Sequence, residues 1–385
     1  MHKPEDRIET KLIHAGEPDP KIGGAVSLPI FQSSTFLYAG QQSYDELKYI
    51  RMNNTPNHTA LHRKLAAVES AEAALVTASG MGAISTTLLT LLGPGDHLLA
   101  QPGLYGGTYE FIAKDLAGLN IGWDVLEDDP TQWPAQVKPT TRLVYCESIT
   151  NPLIRVADLE AMAAFARDHG LVSVIDNTFA TPINFRPAEH GFDLSVHSGT
   201  KYLNGHSDIV AGAVIGRADS VAAVNHKLVH LGATLDPHAC FLLHRGLKTL
   251  ALRMRCHNQS ALAIAQFLET HPALARVNYP GLPSNPGHRF AAELFDGFGG
   301  MVSFEIDGGV DTAERFMGAL RIPLVAPSLG GVETLITRPA VTSHAGMDPE
   351  ERRGMGISDR LIRLSVGIEA VEDVMADIDQ ALNKI

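Results

Sequence analysis

The run Asp193-Leu-Ser-Val-His-Ser-Gly-Thr-Lys-Tyr-Leu-Asn-Gly-His-Ser-Asp208 puts a lysine where it would do chemistry. Leu194-Ser195-Val196 reads as the end of a buried strand. The chain then turns through Ser198, Gly199 and Thr200 and presents Lys201. Two hydroxyls and a glycine would receive an anion and hold the amine close to it. A desolvated amine crowded by positive groups loses basicity and becomes a nucleophile, as Schiff-base formation with an aldehyde requires. The plain alternative is a solvated surface lysine after a strand.

Leu171-Val-Ser-Val-Ile175 is a short β-branched run that ends at Asp176, followed by Asn177 and Thr178. Open α/β sheets bind ligands at the carboxyl ends of their strands. A carboxylate there would keep the ring nitrogen of pyridoxal phosphate protonated, so that the ring accepts electrons. Alternatively, Asp176 is a turn or helix-capping aspartate. Ser79-Gly80-Met81-Gly82-Ala83-Ile84 is a glycine turn opening an apolar helical run. Unpaired N–H groups at such a helix start suit a phosphate, although glycine turns of this kind are common. The spacing is not that of a dinucleotide fingerprint. Tyr105, after another strand-like run, is either a ring that stacks on a cofactor or a tyrosine packed in a turn. His226 and His230 share one side of a helix, but the neighbouring glutamate of a zinc-protease motif is missing, and a surface or interface role is the simpler reading.

From about Leu12 to the C-terminus the chain resembles the Cys/Met-metabolism family of pyridoxal-phosphate (PLP) enzymes. Ser198-Gly-Thr-Lys-Tyr-Leu-Asn-Gly-His-Ser-Asp208 is similar to that family's lysine motif, and Asp176 falls where its ring-nitrogen carboxylate does. The resemblance implies PLP held as a Schiff base on Lys201, with Asp176 and Thr178 among the cofactor contacts. It assigns phosphate binding to Gly80, Met81, Ser198 and Thr200, and stacking to Tyr105, which would also help proton transfer. Tyr49-Ile-Arg51-Met-Asn-Asn-Thr-Pro56 resembles Tyr-Ser-Arg-x-x-Asn-Pro-Thr, whose tyrosine and arginine reach the partner subunit's cofactor phosphate. Ile50 replaces the serine, and Thr55-Pro56 inverts the last pair, so the loop's local shape is left open. Glu147-Ser-Ile-Thr-Asn151-Pro, Ser328-Leu-Gly-Gly-Val-Glu333-Thr and Arg363-Leu-Ser-Val-Gly-Ile-Glu369 match three further family motifs. They imply substrate contacts from Asn151, Ser328, Leu329 and Glu333, with Arg363 clamping the α-carboxylate.

These residues need a scaffold that aims strand ends at one point. Strand-like runs at Ala74–Thr77, His97–Gln101, Arg142–Cys146, Leu171–Ile175, Leu194–Ser198 and Ile209–Ile215 alternate with helical patterns. One such helix is 158–169, stopped by Gly170. The alternation predicts an α/β fold with a large, mostly parallel sheet covered by helices. After residue 250 the pattern changes to a long helix (251–271), strands at Met301–Ile306 and Arg363–Val366, a helix at 311–320, and a final amphipathic helix. That last helix aligns Val371, Val374, Met375, Ile378 and Leu382. The expected division is an arm (1–55) with little helical period that contributes to a neighbouring subunit, a cofactor-binding domain (56–250) and a smaller C-terminal α/β domain (251–385). The resemblance implies the fold type I, aspartate-aminotransferase-like architecture and a homotetramer of dimers that share active sites.

The net charge of −12, without a basic run, argues against nucleic acid and anionic membranes as partners. No apolar stretch is long enough to span a bilayer, and the charged start lacks the apolar core of a secretory signal. Three widely spaced cysteines, Cys146, Cys240 and Cys256, fit a reducing cytoplasm. A small amino acid is the expected substrate.

Among family members, Leu329 stands where many bacterial cystathionine β-lyases carry tryptophan. Gly107 stands where methionine γ-lyases carry cysteine. Glu333 matches a glutamate of the cystathionine-handling γ enzymes that some β enzymes share, and Lys48 stands where those γ enzymes often carry a glutamate that meets a distal ammonium. The expectation is γ-elimination or γ-replacement on a sulfur-containing or homoserine-derived amino acid, as in cystathionine γ-lyase and γ-synthase. Alternatives are a cystathionine β-lyase, an O-acylhomoserine sulfhydrylase, or a PLP-binding regulatory protein without turnover.

Overall fold

The computed structural model describes residues 5–43 and 46–385. The charged start at residues 1–4 and arm positions 44–45 lie outside the described residues. The large sheet contains β1 (Ala73–Thr77), β2 (His97–Ala100), β3 (Gly122–Val125), β4 (Thr141–Glu147), β5 (Val172–Asp176), β6 (Leu194–Ser198) and β7 (Gly212–Gly216). Their order is β1-β7-β6-β5-β4-β2-β3, with β7 antiparallel to both neighbours and every other pair parallel. Strands buried on both faces read as continuous apolar runs, as residues 98–100 of β2 and 143–146 of β4 do, whereas β6 buries Ser195 and His197 between its apolar residues. One apolar cluster fills each side of this sheet.

The second sheet contains β8 (Leu274–Asn278), β9 (Met301–Ile306), β10 (Leu324–Val325), β11 (Leu335–Thr337) and β12 (Leu361–Ser365), in the order β10-β11-β12-β9-β8. A third cluster packs it against the helices Leu250–Glu269, Val310–Ala319 and Val371–Leu382. In the last helix Val374, Ile378 and Leu382 are buried, with Val371 and Met375 packed at the edge of the cluster, as the sequence pattern predicts.

Helix ends follow local chemistry. The Asp158 side chain accepts from Ala161 N at 2.9 Å and starts the helix Leu159–Asp168, and Gly170 follows it at φ 64°. The inverted Thr55-Pro56 pair makes an ordinary helix start, with Pro56 at the first position of Pro56–Val68.

Two expectations need correction, and one strand carries no sequence signal. β7 begins at Gly212, not Ile209, because the Thr200 hydroxyl takes both polar groups of Ala211: Ala211 N donates to Oγ1 at 3.0 Å and Oγ1 donates to Ala211 O at 3.2 Å. Ile209 and Val210 thus belong to the loop around the lysine. β3 has no apolar run, since it is an edge strand with no buried position. The arm, read as having little helical period, carries the helix Ile8–His14. That helix is too short to show a period, and Leu12 is its one buried residue. Buried Lys64 steadies it, donating to Leu12 O at 2.6 Å and Ile13 O at 3.1 Å.

Burial and the nearby Lys248 and Lys21 pull the Lys64 ammonium down to about 7, against the opposing pull of Glu17. A base whose folded pKa is depressed binds fewer protons than in the unfolded chain between that value and the ordinary one. Stability therefore rises with pH over this window, from about 7 toward the usual lysine range of about 10.5. Lys64→Met should flatten this part of the curve of thermal midpoint against pH. A variant that keeps the full rise would show that Lys64 does not cause it.

Candidate active site

The carboxyl ends of β4, β5 and β6 face the second sheet across a cavity of about 700 Å³. All the residues to which the resemblance gives a cofactor or substrate contact line it except Tyr49, Arg51 and Glu333. Lys201 follows β6 by one turn, its N–H bonded to Ser198 O at 3.1 Å. Its Nζ donates to Ser328 Oγ at 2.8 Å. Burial, with Arg363 nearby, pulls the amine down to about 8. Ser328 holds φ 87°, unusual for a residue with a side chain, and its carbonyl accepts from Arg363 Nη2 at 3.0 Å. One residue thus touches both the amine and the guanidinium.

Arg363 lies in the middle of β12, buried to 4% exposure, and also donates from Nη1 to Asn151 Oδ1 at 3.0 Å. Its Nε has no partner. Burial lowers the guanidinium to about 10, which leaves it charged at neutral pH. A buried cation with an unpaired donor on a cavity wall calls for an anion. Leu329 is buried and lines the same cavity.

Asp176 ends β5, and its Oδ1 accepts from Thr178 N at 2.9 Å, so the turn reading and the cavity reading both hold. Burial raises this carboxyl, while Thr178 and His197 oppose the rise. The Thr178 hydroxyl accepts from Ser198 N at 2.8 Å, joining the two strand ends. Gly80 starts the helix Gly80–Leu91, capped by Ser79 Oγ, which accepts from Gly82 N at 2.9 Å. A Cβ on Gly80 would stand 2.8 Å from Ser198 Cβ and 2.9 Å from its Oγ. Only glycine lets the helix start approach the Ser198 wall this closely.

The cavity therefore offers an amine of lowered basicity, an enclosed carboxylate, a helix start beside two hydroxyls, and an aromatic face from Tyr105. An aldehyde, a protonatable ring nitrogen, a phosphate and a flat ring match these in turn, so the residues fit PLP. A family model for Cys/Met metabolism PLP-dependent enzymes matches residues 9–383. The chain belongs to that family. It is 41% identical to a cystathionine beta-lyase of Lactococcus lactis over 98% of this chain and 99% of that protein. It is 42% identical to a cystathionine gamma-lyase of Dictyostelium discoideum over 98% of each. A cystathionine gamma synthase of Xanthomonas oryzae, solved in complex with cystathionine, superposes with a TM-score of 0.94 at 38% identity, over 98% of both chains. With these relatives, the fold is that of a type I PLP enzyme, and the cofactor of this family member is PLP.

Three predicted residues lie elsewhere. Glu333 accepts from Ser207 Oγ at 3.3 Å in an adjoining cavity of about 610 Å³ that shares Thr200, Val210, Pro327 and Ser328 with the first. Arg51 donates from Nη1 to Val229 O at 2.7 Å, and its guanidinium lies 5.8 Å from the centre of the Tyr49 ring. Neither Tyr49 nor Arg51 reaches the wall of its own chain's cavity. His226 and His230 are exposed, with ring centres 4.7 Å apart, and no group of three or more metal-binding side chains occurs among the described residues.

Sequence reasoning missed Glu147 and Glu69. Glu147 quoted only as part of a motif, ends β4 on the cavity wall. Glu69, fully buried behind the sheet, accepts from Ser195 Oγ and from Asn177 Nδ2 at 3.2 Å, and its Oε1 lies 2.5 Å from His197 Nε2. For Glu147 the available signal was that β4 and β5 both end in an acid. For Glu69 there was none, because its partners are more than a hundred residues away.

Gly80→Ala should weaken PLP affinity at least about tenfold, equivalent to ~1.4 kcal/mol. Fluorescence titration of cofactor-stripped protein measures this. An unchanged dissociation constant would remove the helix start from the phosphate site.

Proposed function

We propose that this enzyme eliminates or replaces the γ-substituent of a sulfur-containing or homoserine-derived amino acid, with cystathionine as the leading substrate. The convergence of Lys201, Asp176 and Arg363 on one cavity carries this reading. When bound, PLP supplies an electron-accepting ring that stabilises negative charge developing on the substrate's carbon chain. In this reading Arg363 takes the α-carboxylate, replacing with a charged partner what its Nε lacks. Asn151, bonded to the same guanidinium, keeps it aimed.

Lys201 Nζ then moves protons. An amine near 8 is partly unprotonated at neutral pH and accepts a proton from Cα. Loss of a β-substituent needs that one transfer. Loss of a γ-substituent needs a second proton taken from Cβ, which the same amine can carry on its flexible stem, with Tyr105 assisting. Ser328 Oγ, which accepts from Nζ at 2.8 Å, would steady the freed amine between transfers. Asp176, kept aimed by Thr178, would hold the positive charge of the ring nitrogen of a bound cofactor.

Sequence identities of 41% to a β-lyase and 42% to a γ-lyase do not separate the two chemistries. Leu329, where many β-lyases carry tryptophan, supports the γ reading. At Gly107 an added Cβ would stand 2.7 Å from the Tyr105 ring, so a cysteine there would displace that ring. This supports a substrate other than methionine. Glu333 lies in the adjoining cavity and would face the far end of a long substrate, while Lys48 is exposed and outside both cavities.

The reading extends to a homotetramer of dimers in which Tyr49 and Arg51 serve the partner's cofactor phosphate. Leu37 (95% exposed) and Tyr38 (71%) on the arm are apolar surface that a second copy would cover. It divides the chain at about residues 55 and 250 and places the enzyme in the cytoplasm, in keeping with three free cysteines. No helix among the described residues is long and apolar enough to cross a membrane.

Purified enzyme should release 2-oxo acid and ammonia from cystathionine, or exchange its γ-substituent when a thiol is added. Cofactor absorbance with no turnover of cystathionine, O-acylhomoserines or methionine would support a regulatory protein instead. Lys201→Ala should abolish both turnover and the visible band of lysine-linked cofactor, and full activity in that variant would end the scheme. Arg363→Lys, which loses the planar fork, should raise KM by about tenfold or more with a smaller effect on kcat. An unchanged KM would place the carboxylate elsewhere.

A further inference from the structure

Glu147 and Asp176 are the last residues of adjacent parallel strands and are direct partners in register. Parallel neighbours in register point to the same face and lie ~4.8 Å apart, so both carboxyls enter the cavity floor side by side. Two carboxyls so close in a desolvated place do not both ionise. The surroundings decide which one does. Asp176 accepts from Thr178 N at 2.9 Å and feels His197 on the next strand. Glu147 is 4% exposed and accepts through Oε1 from Tyr105 N at 2.6 Å. The Asn151 amide also faces it, and among the described residues no cation is hydrogen-bonded to it. Of the other ionisable groups of its strand, Tyr145 and Cys146 are buried and kept neutral, and Arg142, exposed near the opposite end, pairs with Asp96; Lys201 and Arg363 line the same cavity from other elements.

We propose that Glu147 is the proton-bearing member of a buried acid pair and a positioning residue for the reaction. It leaves the pair's one negative charge on Asp176, and it holds the Tyr105 amide so that the ring stands over the cavity. This rests on the PLP reading of the site. Burial, reinforced by the charge of Asp176, pushes the Glu147 carboxyl well above its ordinary range. A neutral acid here does two things a charged one would not. It avoids competing with Asp176 for the cofactor's ring proton. It also adds no second anion beneath the Lys201 amine, where a further charge would restore that amine's basicity. The contact to Tyr105 needs only an acceptor oxygen, which a neutral side chain supplies.

The infrared spectrum of the holoenzyme at pH 7 should contain a protonated carboxylic-acid band that Glu147→Gln removes. Because Gln is neutral and keeps the acceptor, that variant should retain kcat/KM within about threefold and leave the pH profile of cofactor absorbance in place. Glu147→Ala strands the Tyr105 amide and should lower kcat/KM by roughly tenfold to a hundredfold. Loss of an ionised-carboxylate band in Glu147→Gln, or a shift of its absorbance profile by about one pH unit, would overturn the proposal. If Gln at this position prevents folding, the parent spectrum decides alone, since lack of any carboxylic-acid band at pH 7 is equally fatal. Failure of the PLP reading looks different: the parent would lack lysine-linked cofactor absorbance, whatever its infrared spectrum.

Discussion

The structure depends on keeping a buried amine uncomfortable. Lys201 and Arg363 face one cavity, both lowered in basicity by burial, with the Lys201 amine lowered further by its neighbour. Folding must oppose this repulsion with contacts elsewhere, and the apolar clusters on both faces of the large sheet supply them. What the site gains is an amine that exchanges protons near neutral pH and an arginine with an unfilled donor. A solvated lysine would be locked as an ammonium, and a paired arginine would have nothing left for a substrate.

Placing those cations requires two sheets. Lys201 follows β6 of the large sheet, whereas Arg363 sits within β12 of the small one. Ser328 and Asn151 bridge the gap, the first touching both cations and the second reaching Arg363 from the loop after β4. The distance between proton carrier and carboxylate clamp is therefore set by how the sheets pack. A small change in packing would alter which carbon of a substrate lies under the amine, a physical route by which one fold serves both β and γ chemistry.

The acids obey the same logic with opposite sign. Asp176 stays a useful anion because Thr178 and, through the sheet, His197 favour its charge. Behind it Glu69 ties the end of the helix Pro56–Val68 to His197, Ser195 and Asn177. An intramolecular hydrogen bond contributes about 0.5–1.5 kcal/mol net, and leaving a buried partner unsatisfied costs more, so this network holds the ends of β5 and β6 in fixed relation. The cavity floor is thus tied down where charge must be placed, while the arm carries the most exposed large apolar residues among those described, Val26, Leu37 and Tyr38.

The sequence by itself determined whatever depends on neighbours a few residues apart. The lysine turn, the acid closing β5, the glycine helix start, the cap at Asp158 and the face of the last helix were all legible, because hydrogen bonds and side-chain periods of short range produce them. A short helix with one buried leucine, an edge strand without an apolar run and the late start of β7 were not. Each owes its limits to a distant contact: Lys64 for the helix, the sheet edge for β3, Thr200 for β7. Tertiary structure alone decided that Asn151 meets Arg363 from 212 residues away, that Glu147 lies beside Asp176, and that Glu69 underpins both strand ends. Electrostatic interaction and desolvation depend on distance through space. No local pattern encodes which two charges the packing of two sheets will bring together.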